Sequence, residues 1–165
     1  LKFLRCVRFE EQGRARIGFI DGDVIRAVYG SIDTYWRMTD EVFPLAGAKL
    51  LAPCVPKQII CVGFNYRDHA REFHVDVPKE PALFTKAAHT VIGNDGKIIY
   101  PRQSHEVVYE AELGVVIKKR MKDVAPEDVP DYILGYTCAN DVTARDLQLS
   151  DVQLSLIHIS EPTRP

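Results

Sequence analysis

The chain has 165 residues, of which 46% are hydrophobic and 27% are charged, and its formal net charge is -2. This composition is typical of a globular domain and excludes a disordered chain. The near-neutral balance, with scattered Lys and Arg, gives no reason to expect nucleic acid or a membrane as a partner. No apolar stretch reaches the roughly 20 residues that span a bilayer. Four cysteines without a CxxC pair favour reduced thiols, and we expect a cytoplasmic location.

Residues 1–55 predict a small N-terminal β domain. The sequence is strand-like over 2–9, 15–20 and 23–28, with a turn at Asp21-Gly22-Asp23. Residues 31–53 are predicted to be less regular, and a linker is predicted near Pro53 and Pro56.

Residues 56–153 predict a second unit in which short strands dominate. The predicted strands are 58–62, 82–86, 97–101, 107–118 and 134–141. The predicted helices are short: one over 65–73 with Asn65 as N-cap, one within 124–133 with Pro126 in its first position, and one from residue 143. The predicted fold class is α+β and mostly β.

The strand over 107–118 carries two acidic residues on one face. Alternation places Glu110 and Glu112 on the same side, and Asp141 stands at the end of another predicted strand. Carboxylates crowded together need a cation or a proton to relieve their repulsion, and hard divalent ions prefer oxygen ligands. From spacing alone, a polar strand face exposed to solvent is the alternative to a metal site.

A second candidate is the pair His69 and Glu72, which lie three residues apart on a predicted helix. A carboxylate beside an imidazole can orient it and raise its basicity, as general-base activation of water requires. An ordinary solvated helix carries the same pattern, so this motif alone leaves both interpretations open.

Residues 154–165 do not continue the pattern of the preceding elements. They resemble the translation of a transposon-type sequencing adapter, and we exclude them, including His158, from arguments on fold and function. A natural frayed tail is the alternative.

Four segments resemble the fumarylacetoacetate hydrolase family in their order along the chain. They are "IICVGFNYRDHAREF", "EPALFTK", "VVYEAELGVVI" and "GYTCANDVTARDLQ", and the resemblance covers residues 57–153. It implies a mixed β-roll, incomplete here, beside the small N-terminal β domain. It also implies an intact protein that forms a homodimer, and aromatic catabolism as its setting.

The resemblance implies roles for eight residues. Glu110, Glu112 and Asp141 match the carboxylates that bind Mg²⁺ or Mn²⁺, and His69 and Glu72 match the pair that activates water. Lys86, Arg145 and Gln148 match positions that line the substrate site, where Arg can bind a carboxylate in bidentate fashion. For the last three, ordinary surface contacts are the alternative.

The implied activity is metal-dependent hydrolysis of a C–C bond in a small β-diketo acid of the fumarylacetoacetate or acylpyruvate type. The alternatives within the family are isomerisation of a 2-hydroxymuconate-type acid and decarboxylation of oxaloacetate. Beyond Gln153 the family pattern stops, so a truncated, inactive fragment is a further alternative. We expect the chain as written to be poorly folded or insoluble, because a half roll leaves apolar faces and strand edges uncovered.

Overall fold

The computed structural model describes residues 4–72, 74 and 76–150, with the side chain of His69 outside that description. Strands account for 43% of the structure and helices for 15%, which confirms the predicted α+β, mostly-β class. No helix in this part of the chain is long and apolar enough to cross a bilayer.

The described residues form eleven strands. In chain order they are β1 (Cys6–Glu11), β2 (Arg14–Asp21), β3 (Val24–Gly30), β4 (Trp36–Pro44), β5 (Lys49–Leu51), β6 (Ile59–Gly63), β7 (Ala82–Lys86), β8 (Val107–Val108), β9 (Ala111–Ile117), β10 (Ile133–Asn140) and β11 (Thr143–Ala144). The helices are α1 (Arg67–Glu72), α2 (Arg145–Ser150) and two 3-10 helices, Ala88–Thr90 and Pro126–Tyr132.

The N-terminal strands form one antiparallel sheet in the order β4-β3-β2-β1-β5. The hairpin between β1 and β2 turns at Gln12 and Gly13, whose φ angles of 49° and 78° suit a two-residue turn. Phe9, Ile25 and Ala27 are almost fully buried and form the core of this sheet. The three strands that the sequence predicts here are confirmed.

The prediction of a less regular stretch over 31–53 is wrong, because β4 and β5 lie within it. Aromatic contacts hold β4 in place: Phe43 lies 5.2 Å from Phe9 and Trp36 lies 4.9 Å from Phe19, measured between ring centroids. A register shift between Arg26 and Val28 interrupts the pairing of β3 with β4. The bulge breaks the alternation of apolar residues that would have revealed the strand.

The remaining strands form three antiparallel pairs, β6 with β7, β8 with β11, and β9 with β10. The predicted strand over 97–101 is wrong, since the backbone there is irregular and Ile98, Ile99 and Tyr100 are exposed. Apolar β-branched residues favour a strand only where a partner pairs with them. Pro126 does occupy the start of its helix, as predicted.

The chain divides into two compact units. One contains the described residues of 4–54 together with 92–150, and the other contains those of 55–91. The predicted domain boundaries after residues 55 and 153 remain predictions.

Candidate functional site

The carboxylates of the candidate site lie where β9 meets the end of β10. The amide of Asp141 donates to the carbonyl of Glu110 at 2.9 Å, so these two residues face each other across the antiparallel pair. The amide of Glu110 in turn donates to Oδ1 of Asn140 at 3.1 Å. These bonds fix the backbone of two of the three predicted metal ligands.

Alternation along β9 places Glu112 on the same face as Glu110. That face, which continues with Gly114 and Val116, is half-buried, whereas Leu113 and Val115 on the opposite face are exposed. The predicted alternation is therefore confirmed. The acidic face is the more buried one, which is the reverse of an ordinary sheet edge with its acids in solvent.

Arg145, the first residue of α2, reaches the carboxylate of Glu110. Its Nη2 is paired with Oε1 of Glu110, and its Nη1 donates to Oε1 of Gln148 at 2.5 Å. The side chains of Arg145 and Glu110 are 13% and 20% exposed, so the pair is largely withdrawn from water. The structure thus gathers three of the predicted residues, Glu110, Arg145 and Gln148.

An unpredicted network lies next to this cluster, around Asp146. Its carboxylate accepts from Ser104 Oγ at 2.6 Å, from the amide of His105 at 2.7 Å and from the amide of Leu147 at 2.9 Å. Ser104 is buried, with 4% of its surface exposed. The amide of His105, followed by Ser104, holds the pKa of Asp146 below its ordinary value.

Sequence reasoning overlooked Ser104, Asn140 and Asp146. The sequence near Asp146 could have indicated its role, because an acidic residue in the first turn of a helix stabilises that helix. Ser104 lies 42 residues away from Asp146 along the chain. Only the pairing of β8 with β11 brings the two together, so no short-range pattern could indicate their contact.

His69, Glu72 and Lys86 belong to the second compact unit. The backbone of His69 lies in α1, but its side chain is outside the described residues. The carbonyl of Tyr66 accepts from the amide of Ala70 at 3.2 Å, so the helix begins one residue later than an N-cap at Asn65 would require. Lys86 ends β7 opposite Ile59, on the half-buried face of that strand pair.

The predicted metal ligands fit a hard divalent cation in kind, because all three offer carboxylate oxygens. Their backbones are neighbours, since Glu110 faces Asp141 across the strand pair and shares a strand face with Glu112. Among the residues that the structure describes, however, no group of three or more acidic, histidine or cysteine side chains is gathered so as to hold a metal ion. The metal site therefore remains a prediction that the donor chemistry supports.

Comparison with known proteins gives two family matches. Residues 58–161 match the family model described as fumarylacetoacetate (FAA) hydrolase C-terminal, and residues 4–53 match one described as Rv2993c-like, N-terminal. The first match extends past Gln153, into the segment that we predict to be foreign, and that segment lies outside the described residues.

Two curated relatives share substantial identity with the chain. A protein of Archaeoglobus fulgidus is 54% identical over 110 residues, which are 67% of this chain and 44% of the relative. A mitochondrial oxaloacetate tautomerase of Bos taurus is 40% identical over 144 residues, which are 87% of this chain and 42% of the relative. The chain thus spans less than half the length of these relatives.

A solved structure of a 2-hydroxyhepta-2,4-diene-1,7-dioate isomerase from Mycobacterium marinum has a similar fold. Its TM-score is 0.80 at 31% identity, over 93% of this chain and 60% of the other. This likeness and the family match confirm both the predicted fold and the predicted relationship. The chain belongs to the fumarylacetoacetate hydrolase family.

Proposed function

We propose that the full-length protein catalyses keto–enol tautomerisation of a small dicarboxylic 2-keto acid of the oxaloacetate type. The observation that carries the proposal is the placement of Arg145, whose guanidinium lies between Glu110 and Gln148 beside a half-buried acidic face. Similarity to a bovine oxaloacetate tautomerase supports the choice of reaction.

Arg145 is suited to hold a carboxylate or an enolate oxygen. Its planar guanidinium offers paired N–H donors that match two oxygens, and its low exposure strengthens charge-assisted bonds. Gln148 fixes one side of the guanidinium, so less side-chain freedom is lost when a substrate binds. The pair would therefore orient the acid group of the substrate.

Glu110, Glu112 and Asp141 would hold Mg²⁺ or Mn²⁺, as their oxygen donors suggest. When bound, such an ion supplies Lewis-acid polarisation of a carbonyl oxygen.

Tautomerisation moves one proton and leaves the carbon skeleton intact. A base removes a proton from C3, the C–H electron pair forms the C2–C3 double bond, and the carbonyl π pair moves to the C2 oxygen. That oxygen is then protonated. His69 and Glu72 are our candidates for carrying the proton, because an imidazole next to a carboxylate can accept and return it near neutral pH.

Hydrolysis of a C–C bond in a β-diketo acid is the second candidate. The pattern His69-x-x-Glu72 on α1 favours it, since the same pair could take a proton from a water molecule. Isomerisation of a 2-hydroxymuconate-type acid and decarboxylation of oxaloacetate remain predictions of the family resemblance.

The products distinguish these reactions. Purified full-length protein is mixed with enol oxaloacetate, and in a separate assay with an acylpyruvate, each with MgCl₂ and each with a chelator. Faster loss of the ultraviolet absorbance of the enol, without pyruvate, supports tautomerisation. Pyruvate from the acylpyruvate supports hydrolysis, whereas pyruvate and CO₂ from oxaloacetate indicate decarboxylation. Enol decay that is no faster than in buffer under all conditions would contradict the main proposal.

A further inference from the structure

Two segments run antiparallel beside the cluster of Glu110, Arg145 and Gln148. The amide of Asp141 bonds to the carbonyl of Glu110, β11 pairs with β8, and the amide of Arg145 donates to the carbonyl of Glu106 at 2.8 Å. The backbone of Arg145, the first residue of α2, is therefore hydrogen-bonded at the end of these two paired segments.

The side chain of Asp146 extends this pairing by one further step. Its two carboxylate oxygens take the bonds from the amide of His105 and the hydroxyl of Ser104 at the point where the backbone turns into α2. Ser104 Oγ also accepts from the amide of Glu106 at 3.2 Å. Ser104 and His105 are therefore hydrogen-bonded to Asp146, and Glu106 is hydrogen-bonded to Arg145.

An ionised aspartate suits this position because both of its oxygens only accept hydrogen bonds. Asparagine has the same shape but replaces one acceptor with an NH₂ donor, which would face the amide of His105 in one orientation and the amide of Leu147 in the other. Either orientation sets one N–H donor against another and loses a hydrogen bond, so the substitution would loosen the contact while preserving volume.

From this geometry we propose that Asp146 is a positioning residue, which aims the Arg145 guanidinium at Glu110 by fastening residues 104–106 to the start of α2. Arg145 has a long side chain with many rotamers, so its direction depends on how firmly its backbone is held. The hydrogen bonds that the structure describes for the Asp146 carboxylate come from Ser104, His105 and Leu147, so Asp146 acts through Arg145. Where the inference concerns turnover, it rests on the proposed function.

A double-mutant cycle on stability tests the inference without any assumption about activity. The variants Glu110→Gln, Arg145→Met and their combination are made in the full-length protein, with and without Asp146→Asn. Their urea-unfolding free energies are then compared. We expect Glu110 and Arg145 to be coupled when Asp146 is present and uncoupled in the Asp146→Asn background.

Equal coupling in both backgrounds would overturn the inference, even if Asp146→Asn lowers overall stability. Asp131→Asn, at an exposed aspartate of the second 3-10 helix, is the matched control and should leave the coupling unchanged. If Asp146→Asn does not fold, Ser104→Ala decides, since it removes one of the donors. A smaller coupling in that variant supports the inference and an unchanged coupling contradicts it.

Kinetics provide the second readout. Asp146→Asn should lower kcat/KM for enol oxaloacetate about tenfold, mainly by raising KM, and should add little to the loss caused by Arg145→Lys. If the loss of kcat/KM in the double variant equals the product of the two single losses, Asp146 does not act through Arg145. If the wild-type protein converts no enol, the proposed function fails, and the stability cycle still decides the role of Asp146.

Discussion

Arg145 connects the acidic face of β9 with the start of α2, because its guanidinium contacts Glu110 and Gln148. Lysine would keep the positive charge but lose the planar set of donors. Arg145→Lys should therefore lower kcat/KM by about 10–100-fold, as expected when a charge-assisted hydrogen bond worth about 1.5–3 kcal/mol is lost. Steady-state kinetics with enol oxaloacetate measure this loss.

Arg16→Lys is the matched control for that substitution. Arg16 pairs with Glu41 between β2 and β4 and lies over the ring of Phe43, so the contacts that the structure describes for it stay within the N-terminal sheet. We expect its kinetics to equal those of the wild type. Equal losses in both variants would argue against a specific role for Arg145.

The lowered pKa of Asp146 implies that the free energy of unfolding depends on pH. Hydrogen bonds from His105 and Ser104 lower its pKa in the folded protein, so its contribution is present above the unfolded pKa and is lost as pH falls through the folded value. With an ordinary aspartate pKa of about 3.9, the loss begins near pH 4. The stability difference between wild type and Asp146→Asn should shrink below that pH.

Urea unfolding of both proteins at a series of pH values measures this effect. Asp131→Asn serves again as the control, and its difference from the wild type should not follow the same pH profile. A difference for Asp146→Asn that is constant down to strongly acidic pH would show that ionised Asp146 is not what holds the segment.

Two turns of the N-terminal sheet should differ in how much stability is lost when their glycine is replaced by alanine. Gly22 and Gly30 both have positive φ angles, 59° and 97°. A Cβ at Gly22 would meet nothing within 4 Å, whereas one at Gly30 would collide with the carbonyl oxygen of Tyr35. Gly22→Ala should cost about 1 kcal/mol for the strained backbone, and Gly30→Ala clearly more.

Thermal unfolding of the two variants measures the difference. Both substitutions add the same methyl group at a positive φ, so the backbone strain is common to both. The difference in stability between them therefore reports the collision at Gly30. A larger loss in Gly22→Ala than in Gly30→Ala would mean that the turn after β3 is not packed as described.

Sequence patterns predicted the elements well where contacts are local. Strands β1 to β3 and β6, β7, β9 and β10 follow from short apolar or alternating runs, and Pro126 indicated its helix. Strand β4 escaped prediction because its position depends on Phe9 and Phe19, which lie far away in sequence. The irregular stretch over 97–101 shows the opposite error, a strand-like composition without a partner strand.

The candidate site could be predicted only in part. Family motifs indicated Glu110, Arg145 and Gln148, which the structure brings together. The contact of Asp146 with Ser104 depends on the pairing of β8 with β11, which no local pattern encodes. The contributions of His69, Glu72 and Lys86 remain predictions from the resemblance.

An exposed apolar face bears on how the whole molecule behaves in solution. Leu113, Val115, Ile117 and Tyr136 lie exposed on the paired strands β9 and β10. A contiguous apolar surface of this kind promotes association or aggregation. Leu113→Ser in the 165-residue chain should therefore raise the soluble fraction after expression, as measured by sedimentation and gel analysis.

Leu4→Ser is the matched control, because Leu4 is 58% exposed and Leu113 is 61% exposed, but Leu4 lies outside that face. We expect it to change solubility little. Equal gains from the two substitutions would show that the β9–β10 face has no special part in solubility.

Stopped-flow decay of enol oxaloacetate with MgCl₂ is the most direct test of the proposal that the full-length protein tautomerises an oxaloacetate-type acid. We expect the protein to accelerate loss of the enol without forming pyruvate, and Arg145→Lys to slow that loss by about 10–100-fold. An enol decay that equals the buffer rate, or one that Arg145→Lys leaves unchanged, would contradict the proposal.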